Sequence, residues 1–193
     1  MTPPKRAFSS YGLAGGLVLG AAAMLSACTS TEAPPTESKP AASANLATAT
    51  LASADGALKG TAAFVRGAGD QVVMQLDVSG LTPGEHGAHL HAVGRCDAPD
   101  FASAGGHLNP HGKQHGRDNP QGAHLGDLPN LVVGADGKGA LRTPLAEPWT
   151  AIAPQLFDTD GTAIVVHAGP DDYRSDPAGN SGGRVACGVV KRS

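Results

Sequence analysis

Apolar and polar residues alternate repeatedly from residue 46 onward, which is the pattern of strands with one buried face. Turn residues separate these stretches. Gly67–Asp70 joins one pair of strands and Ala135-Asp136-Gly137 joins another, so both pairs are predicted to be antiparallel hairpins. We expect seven or eight short antiparallel strands. In chain order, the predicted strands are 46–53, 58–66, 71–79, 86–93, 130–134, 138–142, 162–168 and 183–190.

Two segments do not show a strand period. Residues 144–157 are interpreted as a loop that leads into another strand or a short turn of helix. Residues 94–129 have neither a strand nor a helix period, and a segment of this length within a compact domain usually has a function. Something other than hydrophobic packing must order it, and Cys96 and the histidines within it are the candidates.

Composition favours the same fold class. The 193 residues suffice for one domain with a real core. The 27 glycines, 15 prolines and 4% aromatic residues are typical of many tight turns and few helices, and therefore of an all-β sandwich or barrel. The net charge of -3 and the lack of a basic run argue against a nucleic-acid partner.

The N-terminus resembles an export signal. Lys5 and Arg6 precede an uncharged run of apolar and small residues, 11–27, that is short for a membrane span, so residues 1–27 are predicted to be a signal peptide. Leu25-Ser26-Ala27-Cys28 resembles a bacterial lipobox, in which Cys28 receives the lipid and becomes the mature N-terminus. The alternative is an ordinary signal peptide with an incidental cysteine. Several acyl chains would give stable anchoring, which predicts a protein of the periplasm or cell envelope that is lipid-anchored to a membrane.

Residues 29–45 are rich in Pro, Ser, Thr and Ala without an apolar period, and we interpret them as a flexible tether. The predicted organisation is therefore a signal peptide (1–27), a lipidated cysteine with its tether (28–45) and one folded domain (46–193). Loss of the signal peptide would remove Lys5 and Arg6 and make the chain more acidic.

Two cysteines remain if Cys28 carries lipid. Cys96 and Cys187 are predicted to form a disulfide because an exported protein enters an oxidising compartment, the alternative being two free thiols. A bridge that closes so long a loop contributes about 4–5 kcal/mol in the chain-entropy model.

All eight histidines lie between His86 and His167. His89 and His91 are two residues apart on a predicted strand and therefore point to the same face. His167, at the end of another predicted strand, and His107, in the long segment of residues 94–129, could complete a set of four imidazoles. Four nitrogen donors suit copper(II).

A second group contains His115, His124 and Asp127. Together with His107 they would supply three nitrogens and one carboxylate oxygen, a plausible tetrahedral zinc site. His107 would then serve both groups, because an imidazole that loses both ring protons can bridge two cations. The alternative is a histidine-rich stretch that buffers metals without fixed geometry. Of the remaining histidines, His86 is predicted to bond the backbone and His111 to lie in a surface loop.

These motifs, taken in order, closely resemble the copper–zinc superoxide dismutase family. The resemblance extends from about residue 46 to the C-terminus. It implies a Greek-key β-sandwich, or flattened eight-stranded barrel, with a long metal-binding loop. The segments that carry it are GLTPGEHGAHLHAVG, SAGGHLNP, KQHG, AHLGDLPNL, ADGKG, VVHAGPDD and GNSGGRVACGVV.

The resemblance also implies a role for each site residue. Asp171 would link a copper histidine to a zinc histidine, Arg184 would attract and orient the anion beside the copper, and Cys96 and Cys187 match the family's disulfide. A surface ion pair is the alternative role for Arg184. The implied copper ligands are His89, His91, His107 and His167, and the implied zinc ligands are His107, His115, His124 and Asp127.

The implied activity is dismutation of superoxide to oxygen and hydrogen peroxide, which protects the cell envelope. Copper would alternate between Cu(II) and Cu(I), His107 would release copper and take a proton on reduction, and Zn(II) would shape the site. Two alternatives share the fold: a metal-binding lipoprotein without catalysis, and an interaction lipoprotein with a degenerate site. Retention of every ligand position and of Arg184 argues against both.

The sequence departs from the family's eukaryotic members between Asp171 and Arg184, where it is short and carries only Arg174 as an additional cation. The steering residues of those members cannot be carried over, apart from Arg184. The Gly-rich end resembles the bacterial branch, which does not share the eukaryotic dimer interface. We therefore expect a monomer or a dimer of the bacterial type.

Overall fold

Antiparallel strands account for most of the folded chain. The structure is a computed structural model that describes residues 44–193, so the predicted signal peptide, Cys28 and most of the predicted tether lie outside the described residues. The strands are β1 (Asn45–Ala52), β2 (Leu58–Arg66), β3 (Val72–Val78), β4 (Gly84–His86), β5 (Ala88–His91), β6 (Leu131–Val133), β7 (Gly139–Pro144), β8 (Ala163–His167), β9 (Arg184–Val189) and β10 (Lys191–Arg192). A 3₁₀ turn (Ala102–Ala104) and the helix α1 (Trp149–Leu156) are the helical elements of residues 44–193.

The strands form one nearly closed barrel. Their order is β4-β6-β7-β3-β2-β1-β9-β8-β5, and β10 pairs with β1. The two end strands, β4 and β5, are consecutive in the chain. The long segment covers the outer edge of β5, where the Leu90 N–H donates to the Gly126 oxygen and the Leu108 N–H donates to the Leu90 oxygen. The segment is therefore hydrogen-bonded directly to the strand that carries His89 and His91.

The two predicted hairpins are confirmed as β2–β3 and β6–β7. The strand predicted at 86–93 divides instead at Gly87, because β4 pairs with β6 whereas β5 pairs with β8. A Cβ atom on Gly87 would lie 2.8 Å from the Ser181 Cβ, so the chain passes too close to Ser181 for a larger residue. The predicted all-β class is confirmed.

Helix α1 lies within residues 144–157, so the helical alternative for that segment is correct. Its first turn is held by Asp70, from the β2–β3 turn, and not by a side chain of its own N-cap, Pro148. The Asp70 carboxylate accepts hydrogen bonds from the Thr150 N–H and hydroxyl at 3.1 and 2.7 Å. No helix within the described residues is long and apolar enough to span a membrane.

Strand β8 is buried on both faces, which explains its uninterrupted apolar sequence. Ile164 and Val166 face the main core inside the barrel, while Ala163 and Val165 face a smaller cluster beneath the long segment. The largest side chains of the main core are Leu51, Phe64, Met74, Leu76, Leu90, Leu131, Ile152, Leu156 and Ile164. The smaller cluster contains Phe101, Ala104, Ala163, Val165 and Cys187, with Cys96 packed against it.

Candidate metal centre

Four histidines converge where β5, the end of β8 and the long segment meet. His89 and His91 lie on one face of β5, and His167 ends the neighbouring β8. His107 forms an isolated bridge with His91. One ring nitrogen from each histidine lies within 4.8 Å of the others, and all four side chains are buried. The structure thus brings together the four residues for which the sequence predicts copper ligation.

The four converging nitrogens have no hydrogen-bond partner. Within residues 44–193 they are the buried side-chain polar atoms left unpaired: His89 Nδ1, His91 Nε2, His107 Nε2 and His167 Nε2. Buried polar atoms without partners are rare and unfavourable, so four of them in one cluster fit a site for a bound cation. The residues therefore fit a copper ion, which accepts four imidazole lone pairs.

The opposite nitrogen of each ring is hydrogen-bonded, which fixes the ring's orientation. His91 Nδ1 lies 2.9 Å from the Gly105 oxygen, and His167 Nδ1 lies 3.1 Å from the Gly182 oxygen. His89 Nε2 lies 2.8 Å from the Asp171 Oδ2. Each N–H donates outward, so the lone pair of the other nitrogen points inward.

The second predicted group is also assembled. Asp127 Oδ1 lies 2.9, 3.0 and 3.2 Å from the Nδ1 atoms of His107, His115 and His124, respectively. Four donors bound tetrahedrally to zinc at about 2.0–2.1 Å are separated by roughly 3.3 Å, close to these spacings. Three ring nitrogens facing one carboxylate oxygen therefore fit a zinc ion. His107 belongs to both groups, with Nε2 in the first and Nδ1 in the second.

Asp171 connects the two groups. Its Oδ2 faces His89 Nε2, and its Oδ1 lies 2.9 Å from His115 Nε2. The carboxylate is buried and close to the chain that follows: a Cβ on Gly179, which has a φ of +63°, would lie 2.6 Å from the Asp171 Cγ. A glycine is therefore needed there for both its conformation and its size.

Two further contacts of Asp171 are not anticipated by the sequence pattern. The side-chain amide of Asn130 pairs with the main chain of Asp171, and the Tyr173 N–H donates to Asp171 Oδ1 at 2.7 Å. Asn130 is 41 residues from Asp171 in the chain, so no local pattern predicts the contact.

Burial sets the charge of the first group. It lowers the pKa of His89 and of His167 to about 4 and that of His91 to about 2. These imidazoles are therefore neutral near pH 7, which is the form that binds metal.

In the second group, burial also acts to lower the pKa of His115, but hydrogen bonds to Asp127 and Asp171 outweigh it and raise that pKa to about 9. Burial acts to raise the pKa of Asp127 and of Asp171, but hydrogen bonds from the histidines hold both well below their ordinary values. Before metal enters, His115 is therefore a cation between two carboxylates. A zinc ion bound there would displace its Nδ1 proton.

Arg184 lies at the mouth of the first group. Its guanidinium donates to the Phe101 oxygen at 2.6 Å and to the Gly105 oxygen at 2.7 Å, so carbonyl oxygens hold it and not the acidic neighbour of the ion-pair alternative. Burial lowers its pKa, but the group remains a cation. Arg184 and Lys113 line a cleft that reaches His91, His107 and His167.

The remaining predictions concern Cys96, Cys187, His86 and His111. The Cys96–Cys187 disulfide is present and links the start of the long segment to β9. As predicted, His86 bonds the backbone, with Nδ1 2.7 Å from the His167 oxygen and Nε2 2.8 Å from the Thr82 oxygen. His111 is an exposed loop residue, also as predicted, and its Nε2 pairs with Glu147.

Comparison with known proteins identifies relatives of this chain. A family model described as "Copper/zinc superoxide dismutase (SODC)" matches residues 58–190. The chain is 50% identical over 125 residues to "Superoxide dismutase [Cu-Zn] 1" of Aquifex aeolicus, covering 62% of this chain and 73% of that protein. It is 45% identical over 126 residues to "Superoxide dismutase [Cu-Zn]" of Caulobacter vibrioides, covering 62% and 71%. Among solved structures, a SOD-like protein from Bacillus subtilis matches with a TM-score of 0.69 at 36% identity, covering 74% of this chain and 96% of that one.

Proposed function

Because the chain belongs to the copper/zinc superoxide dismutase family, we propose that it converts superoxide to oxygen and hydrogen peroxide at the buried histidine centre. The observation that carries the proposal is the set of four buried ring nitrogens without partners, which face one point beside Arg184. A site of that kind fits a bound cation that a small anion can reach. Two superoxide ions and two protons would yield one molecule each of oxygen and hydrogen peroxide.

We assign His89, His91, His107 and His167 as copper ligands and His107, His115, His124 and Asp127 as zinc ligands. The grouping of their donor atoms supports this assignment. When bound, copper supplies a Cu(II)/Cu(I) couple for one-electron transfer, and zinc supplies a fixed positive charge.

His107 is the residue that couples the two groups. Its Nε2 faces the first group and its Nδ1 faces the second, so ligation of copper and zinc together would require the ring to lose both protons and act as an imidazolate bridge. Whenever Nε2 is not a copper ligand, it is the atom on which the ring would hold a proton. The cleft reaches His107, so this proton lies close to where peroxide would form.

Arg184 would bind the substrate. Its position is fixed by two carbonyl oxygens, and it lines the same cleft as three of the proposed copper ligands. A fixed cation at the end of a cleft raises the local concentration of an anion and orients it, even on a chain whose net charge is -3.

The outer hydrogen bonds would keep the ligands in position between turnovers. The Asp171 carboxylate holds His89 and His115 at once, and the Gly105 and Gly182 oxygens hold His91 and His167. Loss of such contacts in metal proteins lowers metal affinity by about 10–100-fold.

The test combines metal analysis with a superoxide-decay assay on the purified protein, kept soluble by Cys28→Ser. We expect about one copper and one zinc ion per chain, as the two donor sets require, and faster superoxide loss than the metal-free protein gives. Normal metal content without faster decay would reject catalysis and leave the alternative, a metal-binding protein.

We further propose that the protein acts in the cell envelope, anchored through lipid on Cys28, and protects that compartment from superoxide. The lipobox-like Leu25–Cys28 and the disulfide expected of an oxidising compartment support this location. Growth with a labelled fatty acid should label the wild-type chain but not Cys28→Ser. Labelling of the variant, or none of the wild type, would refute the anchor.

A further inference from the structure

Asn130 lies between the zinc group and β6 and pairs with the main chain of Asp171. Its Nδ2 donates to the Asp171 oxygen at 3.0 Å, and the Asp171 N–H donates to its Oδ1 at 2.8 Å. This two-bond pairing fixes both the place and the direction of residue 171. Resting on the proposed function, we propose that Asn130 is a positioning residue for the zinc half of the centre.

Asn130 would act through the Asp171 carboxylate. That carboxylate receives His89 Nε2 and His115 Nε2 at 2.8 and 2.9 Å, and so sets the rotation of both rings. His115 Nδ1, on the other side of its ring, is the atom that faces Asp127 in the zinc group. A displacement of Asp171 would therefore turn this nitrogen away from the zinc position.

Tyr173 completes the attachment. Its hydroxyl accepts a hydrogen bond from the Asn130 N–H at 2.7 Å, and its own N–H donates to Asp171 Oδ1. The Arg117 guanidinium lies 3.7 Å from the centroid of the Tyr173 ring. Asn130, Asp171 and Tyr173 thus form a closed set of contacts beside the zinc group.

The effect should fall more on zinc than on copper. The main chain of His89 is held in the β5–β8 ladder, so its ring should shift less than that of His115 if Asp171 moves. His115 lies in the long segment, outside any strand, and depends more on its side-chain contacts.

Only an amide offers a donor and an acceptor side by side at this length. Asn130→Asp keeps an acceptor for the Asp171 N–H but replaces the donor by a carboxylate oxygen that faces the Asp171 oxygen. Asn130→Ala loses both. Asn180→Gly is the matched control: Asn180 follows Asp171 in the same loop and bonds Asp172 and Ser175, and glycine tolerates its φ of 53°.

The experiment measures zinc affinity by competition with a chelator, and the visible spectrum of cobalt(II) bound in place of zinc. We expect Asn130→Ala to lower zinc affinity about tenfold and to alter the cobalt spectrum, which reports ligand geometry. Asn130→Asp should also lower zinc affinity, because a carboxylate oxygen would replace the donor that faces the Asp171 oxygen. Asn180→Gly should stay within about twofold of wild type and keep the wild-type spectrum.

The proposal is overturned if Asn130→Ala keeps the wild-type affinity and spectrum, or if Asn180→Gly loses as much affinity as Asn130→Ala. If Asn130→Ala does not fold, Asn130→Asp is judged by the same two criteria. Superoxide decay is measured separately on the wild type. A wild type that binds zinc without dismutation would reject the proposed function while leaving the comparison of zinc affinities valid.

Discussion

In the barrel, the most deeply buried residues are apolar side chains such as Phe64, Met74 and Leu76. In residues 94–129, apolar side chains such as Leu108, Leu125 and Leu128 pack into the same core, but the buried side chains also include His107, His115 and His124, and hydrogen bonds and a disulfide help to hold the chain in place. The first region is stabilised by non-directional burial, which needs neither a particular pH nor a metal. The second contains polar groups whose energy depends on finding partners. We therefore expect the barrel to fold without metal, whereas the geometry of the histidines in residues 94–129 should depend on bound metal.

The largest effect is expected from His107→Ala, because this ring belongs to both metal groups. Dismutase activity should fall by more than the roughly 10–100-fold that loss of an outer contact causes. The superoxide-decay assay gives the result, and circular dichroism of the metal-free variant should show that the barrel is unchanged. Activity within about tenfold of wild type would contradict a shared ligand.

A substitution in the barrel core should lower stability without lowering metal affinity. Phe64→Ala removes a fully buried ring from the main core and should lower the free energy of unfolding by about 3–5 kcal/mol. Zinc affinity of the folded fraction should stay near the wild-type value, since Phe64 does not belong to the metal groups. Urea unfolding and chelator competition measure the two quantities. A parallel loss of zinc affinity would show that the two regions are not separable.

The metal-free protein should be most stable at about pH 7, where opposite contributions from its buried histidines balance. His89, His91 and His167 have a lower pKa in the folded chain than the ordinary histidine pKa of 6.5. Below pH 6.5 the unfolded chain therefore binds more protons than the folded chain, and the free energy of unfolding falls as pH drops towards 4. Each of these three histidines lowers the free energy of unfolding by about 1 kcal/mol as pH drops from 6.5 to 5.5.

The sign reverses for His115, whose pKa is raised to about 9. Its contribution is fully present below its unfolded pKa and is lost as pH rises from 6.5 to 9. Urea unfolding across this range should give a maximum for the metal-free protein and a flatter curve for the metal-loaded protein, in which metal replaces the protons. A metal-free stability that rises steadily to pH 9 would contradict the environment described for His115.

The smallest effect is expected from Arg184→Gln, which removes charge from the cleft without touching a proposed ligand. Activity should fall by about tenfold, and the rate should depend less on ionic strength than that of the wild type. Metal content should not change. An unaltered salt dependence would mean that Arg184 does not guide the anion.

The difference between the barrel and residues 94–129 also explains what could be predicted from the sequence. Alternation predicted the strands of the barrel because burial imposes a period of two, as in 71–79 and the observed β3. It did not predict the break at Gly87, where pairing changes from β6 to β8, nor could it choose between strand and helix for α1. That helix contains Pro154 and is capped by the distant Asp70.

The metal ligands could be predicted because the i, i+2 spacing of His89 and His91 and the family resemblance both point to them. Asn130 could not, since a contact between an asparagine and the main chain of a residue 41 positions away leaves no periodic signal.

The most direct test is a crystal structure of the metal-loaded protein with anomalous scattering recorded at the copper and zinc edges. We predict a copper peak bonded to His107 Nε2 and a zinc peak bonded to His107 Nδ1, the latter at about 2.0–2.1 Å. A structure in which either ion is bound away from the His107 ring would contradict the assignment of one imidazole to both metals.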